Sequence, residues 1–164
     1  MNTKIGSKRR AHRNLAGISV VILTLALLAP AAADSLKDGA GRTVVAGDTS
    51  RIVSIGGAVT EILYALGKDK QVVGVDTTSF YPARALTERA NVGYMRQLSA
   101  EGVLGLRPTL ILLVDGAGPK ETISVLEAAH VPLVVVPDGH SGDGIVEKVR
   151  IISKRPAPAS AASA

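Results

Sequence analysis

The chain of 164 residues contains no cysteine and no tryptophan, and its aromatic residues number four: Phe80, Tyr64, Tyr81 and Tyr94. Without cysteine there is neither a disulfide framework nor a thiolate metal site. With 46% apolar and 20% charged residues, the composition is not that of an acidic disordered segment. The motifs of several enzyme classes are missing too. There is no G-x-S-x-G elbow and no Walker A loop. Ser54-Ile55-Gly56-Gly57 lacks the three-glycine spacing of a dinucleotide fingerprint. No paired carboxylates and no His/Asp/Glu cluster suggest hydrolysis or zinc. The sequence therefore predicts a protein that is not an enzyme.

What is present begins with charge. The formal net charge of +5 would point to nucleic acid if it were spread along the chain, but Lys4, Lys8, Arg9, Arg10 and Arg13 crowd the first residues. A largely apolar stretch from Leu15 to Leu28 and the small residues Ala31-Ala32-Ala33 follow, which is the pattern of a secretory signal cut before Asp34. Fourteen residues fall short of the roughly 20 that a bilayer-spanning helix needs. The Arg9-Arg10 pair is followed by nothing that strengthens a twin-arginine signal, so general secretion is expected. Beyond residue 33, 14 Lys and Arg balance 14 Asp and Glu, and no footprint for nucleic acid is left.

Periodicity sets the expected fold class: α/β, a Rossmann-like parallel sheet flanked by helices. Residues 34–50 read as an N-terminal arm or edge hairpin. Arg51–Ile55, Gln71–Val75, Thr109–Val114 and Val131–Val136 read as strands, the last interrupted early by Pro132. Between them, Val59, Ile62, Leu63 and Leu66 fall on one face of a helix that Gly67 is placed to end. Gly118-Pro119 opens another helix carrying Ile123, Leu126 and Ala129. A last helix over about Asp143–Ser153 would put Ile145, Val149 and Ile152 on one side. Four strands alternating with helices imply right-handed crossovers.

In open α/β sheets a ligand lies beyond the carboxyl ends of the strands. The loop over residues 76–98 holds Phe80, Tyr81 and Tyr94 together with Arg84, Arg89, Met95 and Arg96. Such a segment suits a flat, apolar ligand with anionic groups, or else simply packs onto the sheet. Tyr94 can bind a metal as phenolate if the metal and a nearby cation stabilise the anion. Arg96 would be that cation if the loop is extended enough to put both side chains on one face. His140 lies on the ligand side as a weaker candidate, and His130 reads as a helix-end residue.

Taken together, GRTVVAGDTSRIVSIGGAVTEILYALG, VVGVDTTSFYPARA and VGYMRQLSAEGVLGLRPTLILL resemble the N-terminal lobe of bacterial periplasmic heme-binding proteins. These are the substrate-binding subunits of heme ABC importers, within a wider class that captures siderophores and cobalamin. The resemblance spans about residues 41–150, and its most specific part is Gly93-Tyr94-Met95-Arg96 with Leu98-Ser99-Ala100-Glu101-Gly102. It implies that Tyr94 ligates the ferric heme iron, that Arg96 hydrogen-bonds the phenolate, and that Tyr81 belongs to the heme-facing segment; tyrosinate is an established heme ligand type. It also implies a periplasmic location, a membrane permease docking through Glu101, and an outer-membrane heme receptor upstream. Glu101 has a second reading, as favourable charge in the first turn of a helix starting after Ser99.

Family members have two lobes joined by a long helix, with heme between them. The expected organisation here is a signal peptide over 1–33, an arm or hairpin over 34–50, the α/β lobe over 51–142, the start of the interlobe helix over 143–153 and a disordered, non-family tail over 154–164 that looks like a frameshift or truncation product. Two alternatives accompany that reading: a remnant without useful heme binding, and a siderophore or cobalamin carrier.

Overall fold

The computed structural model describes residues 35–45 and 47–153. The expected signal peptide and tail lie outside the described residues. A hairpin comes first, β1 (Ser35–Lys37) antiparallel to β2 (Thr43–Val45). The lobe follows as β3 (Ile52–Ile55), α1 (Gly57–Ala65), β4 (Val72–Val75), α2 (Arg84–Glu88), β5 (Ala90–Asn91), α3 (Ala100–Leu104), β6 (Leu110–Val114), α4 (Lys120–Ala128), β7 (Leu133–Val136) and α5 (Gly142–Ser153). The order β5-β4-β3-β6-β7 makes one parallel sheet. Among the described residues, no helix is long and apolar enough to cross a membrane.

Why these residues form these elements is clearest at the centre. β3 and β6 are flanked by strands on both edges and covered on both faces, so every residue in them is buried. Such strands read as continuous β-branched and leucine runs rather than alternating ones. Alternate residues feed two cores. Ile52, Leu110, Leu112 and Val134 face α1 and α5, whereas Val53, Ile111, Leu113 and Val135 face α3 and α4. Fully burying each such side chain contributes about 1.5–3 kcal/mol. α1 ends as expected at Gly67, where the Lys68 N–H bonds Leu63 O at 2.9 Å and the Gly67 N–H bonds Tyr64 O at 3.0 Å.

Several expectations need correction. The sheet has five strands, not four. β5 is two residues long and exposed, and it exists through backbone pairing with Gly74 and Val75, which no hydrophobic pattern announces. Residues 76–98 are not one loop, since they contain α2 as well as β5. β7 starts after Pro132, which brings no N–H to a ladder. In α5, Ile152 is buried and Val149 half-buried as expected, but Ile145 is exposed, and Lys148 and Ile151 are buried in addition.

The hairpin turn closes the outer edge of β7. Asp38, with a side chain fully removed from solvent, accepts from the Val135 N–H at 3.2 Å, and the Gly39 N–H donates to Val135 O at 2.7 Å. Arg42 holds Asp38 through Nε at 3.0 Å and Nη2 at 2.8 Å, donates to Leu133 O at 3.3 Å, and pairs with Glu127. An edge strand with free N–H and C=O groups is a template for unwanted pairing, and here it is capped. Burial pushes the Asp38 carboxyl up, but the bonds from Arg42 and Val135 outweigh it and hold the group below its ordinary value.

Candidate functional site

The strand order reverses between β3 and β6, so the crevice expected of this topology lies over the loops that leave these two strands. In nucleotide-binding relatives of the fold, the first helix offers its N-terminal N–H groups to a phosphate. Here two of the N–H groups at that end are taken from within the lobe. The Gly56 N–H bonds Asp76 Oδ1 at 2.8 Å and the Gly57 N–H bonds Thr78 Oγ1 at 3.1 Å. A Cβ on Gly57 would lie 2.6 Å from Thr78 O, so a glycine is needed for the loop after β4 to lie this close. The start of α1 thus already carries an internal carboxylate.

Asp76 is fully buried and receives four hydrogen bonds: from the Gly56 N–H, the Thr78 N–H at 3.0 Å, the Thr78 hydroxyl at 2.6 Å and the Ser79 hydroxyl at 2.9 Å. Because Ser79 gives its proton to Asp76, Thr60 must donate to Ser79 (2.7 Å) and Ser54 to Thr60 (2.8 Å). The relay ties β3, α1 and the loop after β4 into one buried polar unit. Sequence reasoning missed it. An Asp-Thr-Thr-Ser run directly after a strand was the available signal, because aspartate bonds its own backbone two residues on.

The segment carrying Tyr94 is pinned on both sides. Gly93 has φ +94°, the region that favours glycine, and its N–H bonds Asn91 Oδ1 at 2.8 Å. Its carbonyl accepts from the Thr77 N–H at 2.9 Å, behind β4. Two residues on, Met95 O accepts from the Gly118 N–H at 2.9 Å, and the Leu98 N–H donates to Gly118 O at 3.0 Å, behind β6. The chain leaving edge strand β5 therefore runs back across the carboxyl ends of the sheet to the far side of the switch point. Met95 and Leu98 anchor it in the cores, and Tyr94 stands 43% exposed. An exposed phenol on a fixed backbone presents a hard oxygen to solvent at this edge of the sheet.

Tyr94 and Arg96 do not sit on an extended strand as the sequence reading required. The Gln97 N–H bonds Tyr94 O at 2.8 Å, so Met95 and Arg96 are the corners of a turn. Arg96 is exposed, and no hydrogen bond joins it to Tyr94 among the described residues. Phe80 and Tyr81 follow buried Ser79 and project 73% and 68% exposed. Arg84 and Arg89 turn away from this edge: Arg84 lies 4.9 Å over the ring of buried Tyr64 and pairs with Asp69 at 3.0 Å, while Arg89 reaches Tyr64 Oη at 3.4 Å. They clamp α2 to α1. Glu101 is exposed in the first turn of α3, whose start is capped by Ser99 accepting from the Gly102 N–H at 3.3 Å. His140 is exposed beyond β7, 3.9 Å from Asp138, which also faces Lys148 at 3.6 Å; His130 ends α4 with φ +58°. Among the described residues, no three His, Cys, Asp or Glu side chains gather to hold a metal ion.

A parallel α/β lobe with an exposed aromatic loop over its switch point, and with an internal carboxylate at the start of its first helix, has the form of a ligand-binding lobe. The chain belongs to the periplasmic binding protein family, whose model matches residues 52–156. Among solved structures it is similar to the periplasmic heme-binding protein RhuT from Roseiflexus sp. RS-1 in apo form, at 45% identity and a TM-score of 0.61, over 64% of this chain and 40% of that one. A periplasmic heme-binding protein from Pseudomonas aeruginosa is 39% identical with a TM-score of 0.57, over 61% of this chain and 37% of that one. The vitamin B12-binding protein of Yersinia pestis is 31% identical over 91 residues, 56% of this chain and 32% of that protein. The chain spans about a third of the length of the curated relatives it matches. Family and relatives are binding proteins.

Proposed function

We propose that this chain contributes the N-terminal lobe of a substrate-binding component of an ABC importer, which captures ferric heme in the periplasm and hands it to a membrane permease. The observation that carries the reading is Tyr94, an exposed phenol fixed over the switch point of a lobe that is 45% identical to a periplasmic heme-binding protein. The heme is cargo, and the protein performs no reaction on it. Tyr94 binds the iron as phenolate, a hard anionic oxygen that favours Fe(III). Arg96, at a corner of the turn that begins at Tyr94, supplies positive charge to the phenolate or to a propionate once the ligand is present. Tyr81 and Phe80 offer apolar area to the porphyrin face. Glu101 meets the permease, residues 1–33 direct export, and an outer-membrane heme receptor supplies the periplasm.

Titration of the protein with hemin, followed in the visible spectrum, tests this. The expected result is a high-spin ferric species with a phenolate-to-iron charge-transfer band, which Tyr94→Phe abolishes and Arg96→Ala weakens. An unchanged spectrum and affinity in Tyr94→Phe overturns the assignment. The likeness to a vitamin B12-binding protein supports a second reading, a cobalamin carrier. Cyanocobalamin in the same titration separates the two, because a cobalamin carrier binds it and does not depend on the Tyr94 hydroxyl.

A further inference from the structure

We infer that Asp76 is the positioning residue for Tyr94, acting through the two threonines that follow it. The inference rests on the heme reading for its functional meaning and on hydrogen bonds for its geometry. Tyr94 has one neighbour on each side, and each is met by a residue that Asp76 fixes. The Thr77 N–H donates to Gly93 O at 2.9 Å, immediately before the tyrosine. Thr78 Oγ1 lies 3.9 Å from Met95 Sδ, immediately after it. Thr77 is bracketed by Asp76 and by Thr78, and Asp76 Oδ2 binds both the N–H and the hydroxyl of Thr78.

The proton count makes the grip directional. The Thr78 hydroxyl has one proton and spends it on Asp76 at 2.6 Å, so it must accept from the Gly57 N–H, and Met95 sulfur meets it by contact alone. The other carboxylate oxygen holds Gly56 and, through Ser79 and Thr60, reaches Ser54 on β3. Asp76 therefore references the Tyr94 loop to the most buried part of the sheet. Replacing the carboxylate by an amide removes an acceptor and introduces N–H groups facing the Gly56 N–H or the Thr78 hydroxyl, which reorients the Asp-Thr-Thr segment. Outer groups that orient a metal's ligand are typically worth about ten- to a hundredfold in metal affinity.

Asp76→Asn, Thr78→Val and Thr78→Ser test the inference, with Leu126→Ala on α4 as a destabilised control. Two measurements are made: amide exchange of Thr77, Gln97 and Gly118 without ligand, and hemin titration with the charge-transfer band as readout. Asp76→Asn and Thr78→Val are expected to speed exchange at these amides, to weaken hemin binding about tenfold and to shift the band. Thr78→Ser, which keeps the hydroxyl, is expected to restore both, and Leu126→Ala to leave the band in place. Native exchange together with an unshifted band in Asp76→Asn and Thr78→Val overturns the proposal. If the unaltered protein binds no hemin, the heme reading fails and the exchange data alone decide whether Asp76 sets the loop.

Discussion

Asp38 and Asp76 are both buried, and both collect backbone N–H groups from a segment distant in sequence, but they keep different company. Asp38 shares its carboxylate with the guanidinium of Arg42 and closes the outer edge of β7. Asp76 meets only neutral donors and lies under the loops that carry the candidate site. Arg42, partly open to solvent and already paired with Glu127, can be re-satisfied by water when Asp38 is lost. Four neutral donors packed inside the lobe have no such recourse. Similar burial thus has different consequences depending on which donors are left behind, at the edge of β7 for Asp38 and under the candidate site for Asp76.

Substitution breaks the comparison most directly. Asp76→Ala is expected to cost about 3–4 kcal/mol in urea unfolding, since two N–H groups and two hydroxyls lose their acceptor in the interior. Asp38→Ala is expected to cost less, about 2–3 kcal/mol, because Arg42 keeps Glu127 and turns its freed N–H groups to solvent, while the buried Val135 N–H loses its acceptor. Equal losses would erase the distinction. A smaller effect of Asp38 is read by pH. The Asp38 carboxyl is held below its ordinary value in the folded chain, so its contribution is present in full above the unfolded aspartate value of about 3.9 and is lost as pH falls through the lower folded value. Asp38→Asn should flatten that part of the acid limb. The smallest change is expected of Arg84→Ala, about 0.5–1 kcal/mol from a partly exposed ion pair and the contact with the Tyr64 ring, with hemin binding unaffected.

Much of the fold was legible because its centre is built from long-range burial that leaves a local trace. β6 and β7 are runs of Ile, Val and Leu, β3 is one broken only by Ser54, and α1 carries its apolar stripe and its terminal glycine in plain sequence. β5 left no trace, since Ala90 and Asn91 are exposed and held by backbone alone. The grouping of Arg84 and Arg89 with the aromatic loop misled for a related reason: short helix α2 turns both toward Tyr64, and nothing local to 76–98 records that partner. At the site, Tyr94 stood out through its motif and the paucity of aromatics. Asp76 did not, because the groups that define its role, Gly56 and Gly93, lie some twenty residues away in opposite directions.

In the function proposed here, Tyr94 is the group through which this lobe holds its ligand. Urea unfolding with and without hemin tests it without relying on a spectrum, because a ligand that binds the folded state raises stability by about 2.7 kcal/mol at a hundred times its dissociation constant. The account predicts a rise in midpoint for the unaltered protein that largely disappears in Tyr94→Phe. The same rise in both would contradict it.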